Sequence, residues 1–410
     1  MSRKPNPSND PSLTHAPHRE TLVARYAVNS DGNHGAVIPP LYLSSTFAFK
    51  KFGEKGDYDY TRSGNPTRDQ LAGALAAIEG GVGAVVTASG MAAVHLVTQL
   101  LKPGETLVAP PDCYGGCHRL FSAGARKGQF DLQWLALWET GESVRRILQL
   151  KPRMVWIETP SNPLLRITDI AAIAAAAHQV GALVVADNTF LSPAGQQPLA
   201  LGADIVLHST TKYINGHSDV VGGAVIASDA ALVEELAWWA NCLGLTGAPF
   251  DSYQTLRGLR TLSVRYQRHQ ATAATVAAVL NEHELVDRVH FPGLESHPGH
   301  AVAQHQQQGF GAMVSFELHA QAHELPQFLA ALQLFTLAES LGGVESLVAH
   351  PASMTHAAMS VEDQLAAGIS DRLLRLSIGI EHEEDLLADL QRGFAALLRS
   401  RGQEPRREVA

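Results

Sequence analysis

The sequence predicts an α/β protein with a mostly parallel β-sheet covered by helices on both faces, followed by a smaller α+β domain. From about residue 83 to residue 227, short apolar runs rich in valine and isoleucine alternate with longer stretches rich in alanine and leucine. From about residue 265, long helical patterns enclose only a few strand-like runs. Continuous apolar strands separated by helices are typical of a parallel sheet buried on both faces.

Six strands are predicted in the first region, each a short apolar run with a polar or glycine boundary. They are "GAVVTA", "TLVAP", "MVWIE", "ALVVAD", "DIVLHS" and "GGAVIA", which begin at residues 83, 106, 154, 182, 204 and 222. Between them, "MAAVHLVTQLL" and "DIAAIAAAAHQV" are predicted to be helices because their composition and length suit a helix that covers a sheet.

The second region opens with a helical pattern, "RYQRHQATAATVAAVLNEH". Strands are predicted at "GAMVSFEL" and "LLRLSIGI", and helices around "LPQFLAALQL" and over "EEDLLADLQRGFAALLRS". The first 60 or so residues lack helical periodicity and are expected to form an extended arm. The predicted domains are therefore an arm over residues 1–64, a large domain over 65–264 and an α+β domain over 265–410.

Length, charge and cysteine content narrow the class of protein. A chain of 410 residues is longer than one hydrophobic core usually supports. Its 31 basic and 40 acidic residues give a net charge of -9, which argues against nucleic acid or an anionic membrane as the main partner. Three cysteines are too few for a disulfide framework, and the polar N-terminus has no signal-peptide core. We expect a cytoplasmic protein without a membrane span.

The first candidate site follows the strand "GAVVTA", where Ser89, Gly90 and Met91 lead into a helix. Free N–H groups at a helix N-terminus suit a phosphate. A serine that merely caps the helix is the commoner explanation of this pattern taken alone. No G-x4-G-K-[ST] motif follows, so a P-loop is excluded, and the glycines of "GGVGAVV" precede the strand, so a dinucleotide fingerprint is poorly supported.

The second candidate is Asp187, at the end of the strand "ALVVAD". This carboxylate either caps a turn with Asn188 or holds a cationic ring nitrogen, because a partly buried acid needs a positive partner.

The third candidate is Lys212 in "HSTTKY", directly after the strand "DIVLH". Most lysines are surface charges. This one lies beside the hydroxyl groups of Ser209 and Thr211, in an apolar part of the chain. Burial lowers the pKa of a lysine and yields the neutral amine that Schiff-base chemistry requires.

Two further strand ends complete the set of candidates. Ser161 and Asn162 follow "MVWIE" as possible hydrogen-bond donors, and Arg375 lies inside the apolar strand "LLRLS", where it needs a carboxylate partner. A phosphate cradle, an acid, a buried lysine and a buried arginine together fit pyridoxal phosphate (PLP). This cofactor needs a lysine for its aldehyde, an acid for its ring nitrogen and donors for its phosphate. The arginine would bind an amino-acid α-carboxylate.

Seven ordered motifs carry a resemblance to a known family. They are "YTRSGNPTRD", "SGMAA", "DCYGG", "ETPSNPLL", "DNTFLSP", "LGADIVLHSTTKYINGHSDVVGG" and "FTLAESLGGVESL". With them the chain resembles the Cys/Met-metabolism family of pyridoxal-phosphate enzymes from about Gly35 to Leu398. The resemblance implies a PLP-dependent transferase fold (fold type I, aspartate-aminotransferase-like) and a homotetramer of two active dimers.

The resemblance also implies roles for individual residues. Lys212 would bind the cofactor aldehyde covalently and move protons, Tyr114 would stack on the pyridine ring, and Asp187 would pair with the ring nitrogen. Four residues of the same subunit would hold the phosphate, with two more from the neighbouring subunit: Gly90, Met91, Ser209 and Thr211, joined by Tyr60 and Arg62. Three residues would bind the substrate α-carboxylate: Asn162, Ser340 and Arg375.

The implied reaction is a γ-replacement that makes L-cystathionine from an O-acyl-L-homoserine, O-succinyl in our expectation, and L-cysteine. Breakdown of cystathionine by γ-elimination is the nearest alternative, followed by β-elimination and direct sulfhydrylation. The stretch around Trp238, Trp239 and Asn241 favours the synthetic reaction. A protein of this shape that lacks a cofactor is a further alternative, but no implied cofactor residue is missing.

Three charged residues are candidates for the polar ends of the substrates. Arg119 suits the distal carboxylate of a succinyl group through a bidentate pair, and Glu339 and Asp59 suit other polar ends. Each of the three could instead form an ion pair at a subunit interface. Cys117 and His118 depart from the family pattern near the substrate entrance. No metal is expected, since His297, His300 and His305 indicate a metal site only weakly.

Overall fold

The structure is a computed structural model that describes residues 17–357 and 359–404. Residues 1–16 of the predicted arm and residues 405–410 of the predicted second domain lie outside this part. Seven strands form the larger sheet: β1 (Gly83–Thr87), β2 (Thr106–Ala109), β3 (Asp131–Trp134), β4 (Met154–Glu158), β5 (Leu183–Asp187), β6 (Ile205–His208) and β7 (Gly223–Ala227).

The strand order of this sheet is β1-β7-β6-β5-β4-β2-β3. All neighbouring pairs from β6 to β3 are parallel, as predicted, whereas β7 is antiparallel to both β1 and β6. Parallel strands need a long crossover, usually a helix. The connection between β6 and β7 consists of turns over residues 209–222, so β7 returns beside β6 in the opposite direction.

Nine helices accompany this sheet within the described residues. They are α1 (Arg19–Arg25), α2 (Pro66–Glu79), α3 (Gly90–Thr98), α4 (Gly115–Arg126), α5 (Thr140–Leu150), α6 (Ile170–Gln179), α7 (Ser192–Gly195), α8 (Ala230–Leu243) and α9 (Pro249–Leu259). A short 3₁₀ helix covers Pro198–Leu201.

A second sheet has five strands, β8 (Val286–His290), β9 (Met313–Leu318), β10 (Thr336–Leu337), β11 (Leu347–Ala349) and β12 (Leu373–Ser377), in the order β10-β11-β12-β9-β8. Its helices are α10 (Leu262–Asn281), α11 (His300–Gln306), α12 (Leu325–Ala331), α13 (Val361–Ala367) and α14 (Glu383–Ser400), with 3₁₀ turns at Ala322–Glu324 and Pro351–Ser353. The mixed second region is thus present, while the domain bounds themselves stay a prediction.

Two elements differ from the sequence expectation. Helix α1 forms in a segment that we expected to be extended, because its residue Val23 is buried and the neighbouring Tyr26 packs against Gly73 of α2. Strand β3 was not predicted, because it lacks the apolar run of the other strands. It has only four residues, and alternate residues are exposed. It adds in parallel to β2 at the edge of the sheet.

Helix α2 joins the N-terminal arm to the larger sheet. Asn65 starts it by accepting hydrogen bonds from the backbone N–H groups of Thr67 and Arg68, and Pro66 occupies the first turn. Gly80 ends it with a φ of 77°, a conformation that favours glycine. The last helical residue, Glu79, is buried at 1% exposure against the sheet.

No helix among the described residues combines the length and the apolar character that a bilayer crossing requires.

Candidate active site

A cavity of about 300 Å³ lies at the carboxyl ends of β4, β5 and β6, between the two sheets. This is where open α/β sheets bind their ligands. We call it the lysine cavity. It brings together eleven of the predicted site residues: Gly90, Met91, Tyr114, Asn162, Asp187, Ser209, Thr211, Lys212, Glu339, Ser340 and Arg375.

Lys212 lies within the turns that connect β6 to β7. Its backbone N–H donates to the carbonyl of Ser209 and its carbonyl accepts from Gly216, so both sides of the residue are fixed. Its amine Nζ donates to Ser340 Oγ at 2.7 Å. Burial and, to a smaller extent, the charge of Arg375 lower the pKa of Lys212 to about 8, although the charge of Glu339 opposes this shift. The surroundings therefore favour the neutral, nucleophilic amine.

Ser340 belongs to the loop after β10 and connects the lysine to the second region. Its φ of 90° lies in the left-handed region, which costs free energy for a residue other than glycine. This backbone conformation lets its hydroxyl meet Lys212 while its carbonyl accepts from Arg375 Nη2 at 2.9 Å. Strain at a position with two such contacts is typical of a functional site.

Arg375 is 3% exposed in the middle of β12, between β9 and β11. Its Nη1 donates to Asn162 Oδ1 at 2.8 Å, but its Nε is buried without a hydrogen-bond partner. Within the described residues, no carboxylate lies within 4.0 Å of its guanidinium. A buried guanidinium requires a paired anion, so this side chain is prepared to bind a carboxylate from a ligand.

Two acids end adjacent strands of the larger sheet, where Glu158 of β4 is paired in register with Asp187 of β5. Asp187 Oδ1 accepts from the backbone N–H of Thr189 at 3.0 Å. Burial raises the pKa of Asp187, and burial together with the charge of Asp187 raises the pKa of Glu158 well above its usual value. A cationic ring at this position would relieve the repulsion between the two acids.

The opposite end of the cavity can accept an anion. Ser89 Oγ caps α3 by accepting from Ala92 at 3.0 Å, so the simpler interpretation of this serine is confirmed. Yet the backbone N–H groups of Gly90 and Met91 have no acceptor among the described residues. A Cβ atom at Gly90 would lie 2.8 Å from the Cβ of Ser209, so only glycine allows this close approach.

Tyr114 precedes α4 at the wall of the cavity. Its backbone N–H donates to Glu158 Oε2 at 2.8 Å, which fixes the start of α4 relative to β4. Thr355 packs against this start, since its carbonyl oxygen would lie 2.8 Å from a Cβ at Gly115. The ring of Tyr114 is 41% exposed and lines the cavity, where it is available for stacking.

Tyr60 and Arg62 line a second cavity of about 360 Å³, which we call the arginine cavity. Arg62 Nη1 donates to the carbonyl of Asn241 at 2.6 Å and to its Oδ1 at 2.8 Å. Arg62 also lies over the ring of Tyr60, 5.8 Å from its centroid. Neither residue lines the lysine cavity of the same chain.

Asp59 and Arg119 also lie outside the lining of the lysine cavity. Asp59 accepts hydrogen bonds from Tyr60 and Ser63 and lies 3.7 Å from Lys55, so it has local partners. Arg119, one turn along α4 from Gly115, has neither a hydrogen bond nor an ion pair within the described residues. Burial raises the pKa of Tyr114, and the nearby charge of Arg119 partly opposes this rise.

Several lining residues were not predicted as site residues. Glu158 is the last residue of β4, and many strands end in a polar residue. Only its pairing with Asp187 on the adjacent strand marks it as a site residue. Thr189 follows Asp187 within the quoted motif "DNTF" and could have been noticed there. The remaining ones contribute apolar, backbone or small polar surface: Val94, Cys117, Pro160, Phe190, Leu207, Val221, Leu341 and Thr355.

His297, His300 and His305, which indicated a metal site only weakly, have protein contacts or lie outside any suitable cluster among the described residues. His297 Nδ1 accepts from the backbone of Gly299, and His300 Nδ1 lies 2.8 Å from the carbonyl of Pro292. Within residues 17–357 and 359–404, no group of three or more metal-binding side chains is suitably placed.

Comparison with known proteins identifies the family. The Cys/Met metabolism PLP-dependent enzyme family matches residues 20–395. The chain belongs to this family. The predicted resemblance and the predicted cofactor are thereby confirmed.

Relatives in the family cover nearly the whole chain. Cystathionine gamma-synthase of Escherichia coli K12 is 55% identical over 92% of this chain and 97% of its own length. Cystathionine gamma-lyase of Dictyostelium discoideum is 45% identical over 91% of this chain and 97% of its own length. The crystal structure of cystathionine gamma synthase from Xanthomonas oryzae pv. oryzae, in complex with aminoacrylate and cysteine, has a TM-score of 0.92 at 59% identity. It covers 93% of this chain and 99% of that chain, so the predicted fold is confirmed.

The residues of the lysine cavity fit PLP. The cavity has an amine with a lowered pKa at Lys212, an acid at Asp187 and free N–H groups at the start of α3. The unpartnered Nε of Arg375 adds a site for a substrate carboxylate. These are the three groups that PLP itself requires and the one that an amino-acid substrate requires.

Proposed function

We propose that this protein is a cystathionine γ-synthase, which joins an O-acyl-L-homoserine to L-cysteine to give L-cystathionine. The observation that carries the proposal is the placement of Lys212 and Arg375 on one small cavity, bridged by Ser340. The choice of the synthase within the family rests on identity. The synthases compared are 55% and 59% identical to this chain, whereas the β- and γ-lyases of Coxiella burnetii and Dictyostelium discoideum are 46% and 45% identical.

The cofactor would be held at three points. The N–H groups of Gly90 and Met91, with Ser209 and Thr211, would bind its phosphate, and Asp187 would accept from its ring nitrogen. Tyr114 would cover the ring. When bound, PLP supplies an electron sink that makes the protons of Cα and Cβ of the amino acid acidic.

Lys212 would carry the protons. Its amine stays neutral more readily than a solvated lysine because it is buried and close to the charge of Arg375. A neutral Nζ can take a proton from Cα and return one nearby, since its side chain is tethered next to the substrate carbons. Ser340 Oγ, 2.7 Å from Nζ, accepts a hydrogen bond from the amine and directs it.

Arg375 would orient the substrate. Its guanidinium is fixed on two sides by Asn162 and by the carbonyl of Ser340. A substrate α-carboxylate could therefore form a pair with it in only a few directions. This restriction would keep Cα within reach of the lysine.

Arg119 and Glu339 would act on the distal part of the substrates. Arg119 has an unpaired guanidinium near Tyr114, which suits the terminal carboxylate of a succinyl group. Glu339 lines the cavity beside Ser340 and suits a cationic or polar group of the second substrate. Asp59 has hydrogen-bond partners within its own arm, and it would contact a substrate only in the site of a neighbouring copy.

The deciding experiment measures cystathionine formation from cysteine with O-succinyl-, O-acetyl- or O-phosphohomoserine, and separately cystathionine breakdown. We expect formation from the succinyl ester to be fastest. Arg119→Ala should then lower kcat/KM for the succinyl ester about tenfold or more and that for the acetyl ester little, since only the former has a distal carboxylate. Breakdown faster than formation would overturn the proposal in favour of the γ-lyase.

We also propose that the active unit contains at least two copies, assembled as a homotetramer, and that it works in the cytoplasm. Tyr60 and Arg62 lie away from the lysine cavity of their own chain, which supports their action on a second copy. Large apolar side chains on the surface support assembly: Leu43 is 66%, Phe49 56% and Trp238 59% exposed. Size-exclusion chromatography with light scattering tests the assembly, and a monomeric active enzyme would overturn it. Expression of a tagged chain with cell fractionation tests the location.

A further inference from the structure

Glu79, the last residue of helix α2, lies buried behind the lysine cavity. Glu79 Oε1 contacts His208 Nε2 at 2.5 Å and accepts from Asn188 Nδ2 at 3.0 Å. The exposures are 1% for Glu79 and 0% for both His208 and Asn188. One carboxylate oxygen therefore contacts two side chains, one directly after the end of β5 and one at the end of β6.

The two bridged residues are neighbours of predicted cofactor residues. Asn188 directly follows Asp187, and His208 directly precedes Ser209. Asp187 pairs in register with Leu207, and both line the lysine cavity. Because successive side chains of a strand point to opposite faces, Asn188 and His208 project behind the cavity, where Glu79 meets them.

The bridge extends to a third strand. Asn188 Nδ2 also donates to the carbonyl of Gln196, and Gln196 Nε2 donates to the carbonyl of Thr159, which follows β4. A connected set of buried hydrogen bonds thus joins the ends of β4, β5 and β6. The side chains at these ends form the wall of the lysine cavity.

A contribution to stability does not by itself explain the buried Glu79–His208 pair. Glu79 Oε2 and His208 Nδ1 are buried without partners among the described residues. Buried ion pairs with unsatisfied atoms are commonly less stabilising than apolar residues of similar volume. The contacts of this pair therefore bear on the geometry of the strand ends more than on stability.

We propose that Glu79 is a positioning residue for the cofactor, whose carboxylate ties the end of β5 to the end of β6 and so fixes the spacing between Asp187 and Ser209. This inference rests on the cofactor placement proposed above. PLP is rigid between its ring nitrogen and its phosphate-bearing carbon. A fixed spacing of the two protein groups therefore lets both ends bind without distortion of the loop that carries Lys212.

The test uses the double variant Glu79→Leu/His208→Leu, which replaces the polar pair by apolar side chains and leaves no unpaired charge. We expect it to fold with a thermal midpoint no lower than that of the parent. We also expect its PLP dissociation constant to rise about tenfold and the visible circular dichroism of each bound cofactor to fall, because the ring sits less firmly. Glu79→Gln, which keeps an oxygen acceptor for Asn188 and His208, and His208→Gln, which keeps a donor for Glu79, should each change both readouts less than threefold.

The matched control is Glu317→Gln, which alters a His–Glu pair in the smaller sheet, where His290 Nε2 lies 3.4 Å from Glu317 Oε1. It should leave both cofactor readouts unchanged. Equal changes in this control, or none in the double variant, overturn the role of Glu79. Asp187→Ala separates the two levels of the argument. If it leaves both readouts unchanged, the cofactor placement itself is wrong; if it changes them and the double variant does not, only the role of Glu79 is wrong.

Discussion

The lysine cavity and the arginine cavity differ in what they contain. The first has a nucleophile, three acids and a buried arginine, contributed by both sheets and the loops that follow their strands. The second has Tyr60, Arg62 and Arg68 with several threonines, but no lysine and one acid, Asp251. Within one chain, Lys212 and Arg375 therefore lie in one cavity, whereas Arg62 and Arg68 lie in the other. The proposed assembly would account for this difference, because Tyr60 and Arg62 of one copy would then act on the lysine cavity of another copy.

The largest effect is expected from Lys212→Ala, which removes the reactive group of the lysine cavity. Activity should fall by about 10³ to 10⁴, in line with the loss of a positioned acid–base group. The visible absorbance of covalently bound PLP should disappear, and absorbance spectra with initial rates check both. The control is Lys55→Ala, which removes an exposed lysine of the arm that is paired with Asp59. A variant of Lys212 that kept near-parental activity would contradict the assignment.

Arg375 tests the recognition part of the same cavity. Arg375→Leu should lower kcat/KM by about 10² or more, because a buried substrate carboxylate loses its charged partner. Arg375→Lys should recover part of the loss, since it keeps the charge and loses the planar fork. Steady-state kinetics measure both. If absorbance spectra showed that PLP binding was lost as well, Arg375 would act on the cofactor and not on the substrate.

Subunit mixing tests the separation of the two cavities directly. Lys212→Ala and Arg62→Ala should each be weakly active alone. If Arg62 serves the lysine cavity of another copy, co-refolded mixtures contain hybrid dimers with one intact site. Random pairing of equal amounts then gives about a quarter of the parental activity. Mixtures that stay as inactive as the separate variants would show that Arg62 acts within its own chain.

The smallest effect concerns pH. Because the pKa of Lys212 is lowered to about 8, capture of PLP by the cofactor-free protein should accelerate as pH rises through that value. Arg375→Leu removes a like charge and should raise this midpoint, whereas Glu339→Gln removes an opposite charge and should lower it. Stopped-flow absorbance across pH 6–10 measures the midpoints. By the same linkage, Lys212 disfavours the folded cofactor-free protein below about pH 8, and this cost is lost as pH rises towards 10.5.

Much of the fold follows from the sequence because apolar runs and helical spacing are local signals. Helix α14 has the predicted bounds, and all six predicted strands of the larger sheet are present. The reversed direction of β7 was not expected, because direction depends on the connection and not on the strand itself. Helix α1 was missed since its burial depends on α2, a partner that is distant in the chain.

The lysine cavity was predictable where a polar residue ends or interrupts an apolar strand. Asp187 and Arg375 meet this condition, Lys212 follows four residues after the end of β6, and the structure brings the three together. Glu79 meets no such condition. It ends an ordinary capped helix, and its burial arises only when α2 packs behind the sheet. The contacts on which its proposed role rests are therefore visible only in the three-dimensional structure.

The antiparallel return of β7 has a consequence for the loop that carries Lys212. Both ends of residues 209–222 are anchored in adjacent strands of the sheet interior, so the loop is closed at its base. Loop closure restricts the conformations of the chain before any ligand arrives, and the internal turns at Asn215 and Gly216 restrict them further. Little backbone entropy would then be left to lose if Lys212 binds the cofactor as proposed. The side chain can exchange partners many times over while its backbone stays in place.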